Sequence, residues 1–343
     1  MDVENSALME ETIPRLAVAM QSALTDAQIQ VLGSQQIDIR FDGLPAWKIS
    51  VMRKLVNNQH QMVETQIDLL PLCLASMSTV ELQRLAALEN VGLRGVSVVP
   101  IQPDPEDERG GLRIRAAFVG QKGRTTDEVE NLATDILTVL TFARTLEDRV
   151  TQNSIAGEFS FELYGSRYDN STNQESIRFI KTGQKIFEGS EDRVFSQIIK
   201  AMASEFSFEV RNAGERSAII RAPNSSLEIV VKIPKDTQLF VAHASLMKLE
   251  NMSPERIWLL LDELNSQGEA GHFEVSHVDG NLCFTAWKHL TNDLRHFSFD
   301  HTIFSVHRAY NLATESIFGA PVFAASQVIN MPNRRPLTLK KAA

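Results

Sequence analysis

The chain has few of the residues that mark secreted, redox or zinc-binding proteins. Its 343 residues include two cysteines, Cys73 and Cys283, and no C-x-x-C spacing. This excludes a disulfide framework and a cysteine-based metal knot or redox pair. Both cysteines stand in apolar surroundings, so we expect them to behave as small buried apolar side chains.

Long apolar runs and a cationic leader are missing as well. The longest candidate run, which ends at residues 69–74, is far shorter than the roughly 18 to 20 residues of a membrane span. The chain opens with Met1, Asp2, Val3 and Glu4, which does not resemble a secretory signal. We therefore expect no membrane association and a cytoplasmic location.

Basic residues are outnumbered by acidic ones, 34 to 43, giving a net charge of −9. Residues 1–150 carry −7 of this charge and residues 151–343 carry −2. A surface with this balance disfavours contact with a phosphate backbone, so we expect no nucleic-acid partner. The segment 334–341 holds four basic residues and no acid. A solvated tail is the favoured interpretation of this segment, and an anion contact is the alternative.

Bulk composition indicates a folded protein of two domains. The chain is 43% hydrophobic and 22% charged, which are ordinary values for globular proteins. Its length exceeds one usual core but suits two, each able to fold without covalent support.

The two halves repeat one order of predicted elements: helix, about four strands, helix, two strands, helix. The first half follows this order with a helix from Thr12, strands at 28–32, 36–41, 46–52 and 61–67, a helix from Ser78, a hairpin at 96–101 and 112–119, and a helix from Thr125. The second half follows it with a helix after Asp192, strands at 207–211, 217–222, 227–233 and 238–244, a helix from Ser253, a hairpin at 271–278 and 282–287, and a helix containing Ile303 to Ile317.

Particular residues correspond between the halves. Ser78, with Glu81 as its capping-box partner, answers Ser253, which is followed by Pro254. Asn90 answers Asn265 near the end of the same helix, and glycines 92 and 95 answer glycines 268 and 271 after a slip of one residue. The last hairpin differs, because the first half inserts the acidic loop 103–108 where the second turns at residues 279–280.

The pattern predicts an α+β fold class with two tandem copies of a unit made of a helix, an antiparallel sheet and a helix. Residues 1–150 form the first domain, residues 151–192 a linker segment that is possibly a hairpin, residues 193–320 the second domain, and residues 321–343 a C-terminal arm or tail. Prolines 321, 332 and 336 interrupt any helix in that tail.

One run of the second half resembles a known family. From Pro254 the sequence reads P-E-R-I-W-L-L-L-D-E-L-N-S-Q-G-E-A-G-H-F-E-V, followed by a hairpin and a long helix, and this is similar to the YbjN family. That family looks structurally like class I type III secretion chaperones. The resemblance spans residues 193–318 and reaches the first half only through element order. It implies an acidic α+β module that holds or regulates another protein, without catalysis and without a metal, and it transfers no catalytic residue.

The sequence offers no clear phosphate or metal motif. Residues 119–126 join a strand to a helix with glycines, Lys122 and threonines, but two residues separate the glycines where a phosphate loop needs four. Six of the eight histidines fall between His272 and His307. None of them has the spacing of a ligand pair, and His272 and His277 lie five apart on a predicted strand, on opposite faces. We predict a plain turn, no bound metal and no cofactor.

The sequence also contains no clear motif for nucleophilic catalysis or for catalysis by paired carboxylates. No G-x-S-x-G occurs, and the neighbouring acids Asp262 and Glu263 point to different sides of a helix. Trp47, Trp258 and Trp287 are candidate anchors for a partner, although core packing is the favoured interpretation of each.

These observations favour a non-enzymatic protein-binding module, chaperone-like or regulatory, that holds an apolar or extended segment of a partner protein. The alternative is a ligand-sensing or enzymatic domain whose site is invisible in sequence. No catalytic, metal or cofactor-binding residue is assigned, and the partner-binding residues are not identified. We further expect an intrachain pseudo-dimer, because the second copy can cover apolar surface of the first.

Overall fold

The structure is a computed structural model that describes parts of both predicted domains. The described residues are 13–18, 20–21, 27–33, 35–41, 47–57, 62–73, 78–90, 97–101, 111–121, 190–234, 239–267, 271–276, 279–290 and 299–319. The chain divides into two compact units, one built mainly from residues before 185 and one mainly from residues after it.

The first unit contains a six-stranded sheet and helices. Residues 13–18 and 20–21 are helical, and α1 spans Thr79–Glu89. The strands are β1 (Ala27–Leu32), β2 (Gln36–Phe41), β3 (Trp47–Asn57), β4 (Met62–Cys73), β5 (Ser97–Ile101) and β6 (Gly111–Gln121). Their order across the sheet is β1-β2-β3-β4-β6-β5.

The described part of the second unit contains three helices and an antiparallel sheet. The helices are α2 (Glu191–Glu205), α3 (Pro254–Ser266) and α4 (Phe299–Phe318). The strands are β7 (Glu209–Arg211), β8 (Ser217–Arg221), β9 (Glu228–Lys232), β10 (Leu239–Lys248), β11 (His272–Val275) and β12 (Asn281–His289). Their order is β7-β8-β9-β10-β12-β11, which is the order of the first sheet.

The apolar core of each unit lies on one face of its sheet. In the second sheet this helix face carries Phe240 and Phe284, and Phe240 contacts Phe299 of α4 with ring centroids 6.3 Å apart. In the first sheet Ile67 and Ile114 are fully buried on the corresponding face. Alternation of side chains along each strand therefore defines a second, outer face, which carries the residues between these core positions.

Local signals in the sequence placed several elements correctly. Ser78 is the N-cap of α1 and forms the predicted capping box with Glu81, whose carboxylate accepts from the Ser78 N–H at 2.7 Å. Hydrogen bonds from the Ser78 N–H and the Ser78 hydroxyl to this carboxylate lower the pKa of Glu81. Ser253 is the N-cap of α3, with Pro254 in the first turn. The turn before β12 contains Gly280 in the left-handed region at φ +69°.

The start of α2 differs from the prediction. Asp192 is not the cap, because the N-cap is Ser190, whose Oγ accepts from the Arg193 N–H at 3.4 Å. The helix consequently begins at Glu191, inside the segment 151–192 that was assigned to the linker. Asp192 instead pairs with Arg216, which also contacts Glu191 at 2.5 Å.

Several predictions fall outside the described residues. They concern the helix from Thr125, residues 151–189 of the linker, the acidic loop 103–108, the turn and helix start at 122–126 and the tail 321–343. The side chains of Trp47 and Cys73 also lie outside the described set.

Burial of His307 on α4 makes stability depend on pH. Its Nε2 is buried without a hydrogen-bond partner, and burial lowers the pKa of His307 to about 4 from an unfolded value near 6.5. Between these values only the unfolded chain binds the proton, so the free energy of unfolding falls as the pH is lowered through this window. We expect a loss of about 2 kcal/mol between pH 7 and pH 4.5 from this residue.

Urea unfolding of the wild type and of His307→Gln, each measured at about pH 7 and about pH 4.5, tests this expectation. The variant should lose less stability on acidification, because its side chain does not titrate. The same pH dependence in both proteins would refute the assignment to His307.

Candidate functional site

Each unit carries an asparagine that clamps an edge strand. Asn90, the C-cap of α1, donates from Nδ2 to the Val98 carbonyl at 2.8 Å and accepts at Oδ1 from the Val98 N–H at 2.7 Å. Asn265, near the end of α3, makes the same two bonds to Phe273, at 3.1 and 2.7 Å. Both asparagines are buried. The side chain therefore takes the place of a neighbouring strand on β5 and on β11.

The clamp fixes a common numbering between the units. Asn265 and Phe273 each follow their counterparts Asn90 and Val98 by 175 residues, as Ser253 follows Ser78. The offset falls to 170 in the second strand of the last hairpin, β6 and β12, because the loop between the two hairpin strands is longer in the first unit. The pairings Ser97↔Arg115 and His272↔Thr285 occupy matching places under this numbering.

On the outer face of the first sheet these places hold a buried ion pair. Arg115 of β6 donates from Nε to Asp68 Oδ1 of β4 at 2.8 Å, and both side chains are about 5% exposed. Gln66 donates to the other carboxylate oxygen at 2.6 Å, and Arg113 lies 3.7 Å from it. Two guanidinium groups and an amide thus compensate one carboxylate inside the protein, as the cost of burying charge requires.

The same places on the second sheet hold histidines, a threonine and a carboxylate. The Thr285 hydroxyl donates to Glu274 Oε1 at 3.2 Å and lies 2.9 Å from Nδ1 of His243. His243 corresponds to Asp68, and Thr285 corresponds to Arg115. His272, which corresponds to Ser97, is fully buried with neither ring nitrogen hydrogen-bonded, and its Nε2 lies 3.9 Å from Glu274. We call His243, His272, Glu274 and Thr285 the outer-face cluster.

The geometry of the outer-face cluster does not match a nucleophile relay. In such a relay the imidazole contacts the hydroxyl with one nitrogen and the acid with the other. Here Nδ1 of His243 faces both the Thr285 hydroxyl and Glu274, which lies 3.8 Å away. Because the Thr285 hydroxyl donates its hydrogen to Glu274, it is able only to accept a hydrogen bond from Nδ1, so the arrangement orients His243 and does not activate Thr285.

Apolar side chains surround the outer-face cluster. Trp287 is buried, its ring centroid lies 5.4 Å from that of His272, and it packs with Leu239 and Val241. Cys283 is a buried free thiol. Burial and the nearby Glu274 and Asp279 carboxylates raise the pKa of Cys283 to about 11, so the thiolate is scarce at neutral pH.

Metal-binding and membrane-spanning features are not observed in the described part of the chain. Within the ranges given above, no three His, Cys, Asp or Glu side chains are grouped to hold a metal ion. No helix in those ranges is long and apolar enough to cross a membrane.

A partly exposed apolar run lies on α3. Ile257 and Trp258 are half-buried, and Leu259 is 55% exposed. Leu260, Leu261 and Leu264 are buried on the core face of the helix, and Ile257 and Trp258 border that face at helical spacing. Leu259 points away from it and is an exposed apolar side chain.

Sequence reasoning identified some of these residues and missed others. Core packing is confirmed for Trp287 and burial for Cys283, whereas Trp258 is partly exposed. Asn90 and Asn265 were matched by position, but their bonds to edge strands were not foreseen. His272 was considered only as a ligand paired with His277, which lies outside the described residues. Asp68, Arg115 and the outer-face cluster were missed, because their members lie on separate strands and share no sequence motif.

Comparison of the chain with protein-family models, curated proteins and solved structures finds no match.

Proposed function

We propose that the chain is a non-enzymatic, YbjN-like and chaperone-like or regulatory protein built of two tandem copies of one unit. It would hold an apolar or extended segment of a partner protein. The proposal that the units are copies is supported by their equal strand order and by the two asparagine clamps at one offset.

The observation that carries the binding function is the apolar run on α3. Leu259 is exposed, and the half-buried Ile257 and Trp258 border the core face of the helix. Aromatic and aliphatic side chains of this kind supply most of the binding energy of protein interfaces. The net charge of −9 would favour basic partners and would make their association weaker in salt.

Binding to an unstructured peptide of lysines and leucines tests the proposal. Fluorescence anisotropy should show binding that weakens as salt is added. Leu259→Ser should weaken it at least about fivefold, because a central apolar contact contributes about 1 kcal/mol or more. Thermal unfolding should change little, since the side chain is mostly exposed.

Val80→Ser on α1 is the matched control, because Val80 is 51% exposed on the helix that corresponds to α3. It should leave peptide affinity unchanged. Equal affinities for wild type and Leu259→Ser, or no binding at any salt concentration, would contradict the proposal.

A ligand-sensing or enzymatic role is the second candidate, and the outer-face cluster favours it. His272 is fully buried with two unbonded ring nitrogens beside a carboxylate, an arrangement that contributes little to folding. If His272→Phe leaves folding and peptide binding intact, yet abolishes a small-molecule activity found by screening, this second role is correct.

The intrachain pseudo-dimer also stays a proposal. It follows from the tandem arrangement, because a second copy on the same chain could cover apolar surface that one unit leaves exposed. Failure of separately expressed halves to reassociate would refute it.

A further inference from the structure

The edges of the two sheets are protected unequally. An edge strand presents unpaired N–H and C=O groups that accept another strand, and proteins usually block such edges. The four edge strands are β1 and β5 in the first sheet and β7 and β11 in the second. How each is treated indicates where a further strand is able to add.

Three of the four edges are blocked. Asn90 and Asn265 occupy both backbone groups of Val98 on β5 and of Phe273 on β11. The β7 edge is three residues long and carries two exposed charged side chains, Glu209 and Arg211, which pair at 2.6 Å. A short, charged edge of this kind resists strand addition.

Among the described residues, the β1 edge has none of these protections beyond its first residue, Ala27. Its sequence, AQIQVL, contains no charge, proline or glycine over six residues. Gln21 donates to the Ala27 carbonyl at 2.9 Å, but within the described part of the chain β1 pairs only with β2. The side chains of Gln28 and Gln30 are exposed.

Apolar side chains flank this open edge. Val31 of β1 is 38% exposed. Val18 is 68% exposed and stands three residues before Gln21, so it lies on the side of the helix that reaches β1. An added strand would therefore find backbone groups together with apolar surface.

We propose that the β1 edge pairs antiparallel with β1 of a second copy of this chain. A two-fold axis at Ile29 places Gln28 of one copy opposite Gln30 of the other, and Ala27 opposite Val31. The two side chains of each pair then lie on the same face of the joined sheet. The amides hydrogen-bond across the axis and no charges meet. A strand without charge offers a basic peptide no ion pair, which favours self-association over capture of a charged segment. This inference does not depend on the proposed peptide-binding function.

Salt dependence separates the two kinds of association. Each copy carries a net charge of −9, so long-range repulsion opposes pairing at low ionic strength. Sedimentation velocity of the full chain should show a reversible monomer–dimer equilibrium whose dimer fraction rises with salt. Binding of a basic peptide should change in the opposite direction.

Paired substitutions test the register. Gln28→Lys combined with Gln30→Lys puts like charges opposite each other at two places, and should raise the dimer dissociation constant at least about tenfold. Gln28→Lys combined with Gln30→Glu puts opposite charges there and should restore the dimer. Gln267→Lys, at an exposed position after α3, should leave the dimer unchanged, and circular dichroism should show all variants folded.

Three results would overturn the proposal. The first is that the wild type is found to be a monomer at every protein and salt concentration. The second is that the like-charge variant dimerises as well as the wild type. The third is that the like-charge and opposite-charge variants lose the dimer equally. If the wild type is a monomer and the like-charge variant loses affinity for an uncharged strand peptide, the edge accepts another protein's strand instead.

Discussion

Replacing Asn265 with alanine is expected to lower the free energy of unfolding of the second unit by about 3 kcal/mol, because the change removes two hydrogen bonds at once. The Phe273 N–H and carbonyl lose partners at 2.7 and 3.1 Å in a buried place, since Asn265 is 8% exposed. Urea unfolding followed by Trp fluorescence measures the loss. Asn90→Ala should have a similar effect on the first unit.

Two further substitutions make this result specific. Asn265→Asp keeps an acceptor for the Phe273 N–H but places an oxygen against the carbonyl, so it should also destabilise. Asn281→Ala is the control, because the Asn281 side chain bonds Asp279 in an exposed turn and should cost well under 1 kcal/mol. If Asn265→Ala and Asn281→Ala cost the same, the clamp is not a major source of stability.

Asp68→Ala should destabilise the first unit by about 4 kcal/mol, since it leaves the buried Arg115 guanidinium without its carboxylate. The two groups meet at 2.8 Å, and neither side chain is more than 6% exposed. Removal of one partner of a buried pair costs more than the pair contributes, because the remaining charge stays out of water. Chemical denaturation of the purified variant measures the change.

The controls distinguish a buried pair from a surface pair. Glu209→Ala removes contacts to Arg211 and Arg221, but Glu209 is 45% exposed, so the loss of stability should be much smaller than that of Asp68→Ala. Asp68→Leu combined with Arg115→Met should be far less harmful than Asp68→Ala, because no isolated charge remains. If the double variant is less stable than Asp68→Ala, the ion pair itself supplies the stability.

The asparagine clamp occurs in both units, whereas the buried ion pair occurs only in the first of the two described sheets. The asparagine clamp is the same chemistry at one offset, whereas Asp68 and Arg115 correspond to His243 and Thr285. The outer faces of the two sheets thus carry different polar residues, whereas the asparagine clamp at the sheet edge is the same in both. This is expected if the clamp serves folding and the outer face serves a role particular to each unit.

Elements that depend on neighbouring residues could be predicted from the sequence alone. The caps at Ser78 and Ser253, the turn before β12 and the order of helices and strands follow from propensity, periodicity and hydrogen bonds within a few residues. Ser190 shows the limit of this approach. Ser190 and Asp192 are both residue types that cap helices well, and in the structure Ser190 is the cap whereas Asp192 pairs with Arg216, 24 residues further along the chain.

Tertiary structure alone decided which polar side chains meet on the outer faces. Asp68 and Arg115 are 47 residues apart, and His243 and Thr285 are 42 apart. They are neighbours because β4 lies beside β6 and β10 beside β12, with β5 and β11 at the edges. Sequence patterns report which residues share a strand face, but strand order is set by the packing of the whole sheet against its helices. For this reason the matching of Asn90 with Asn265 was visible in the sequence, and the strand that each one clamps was not.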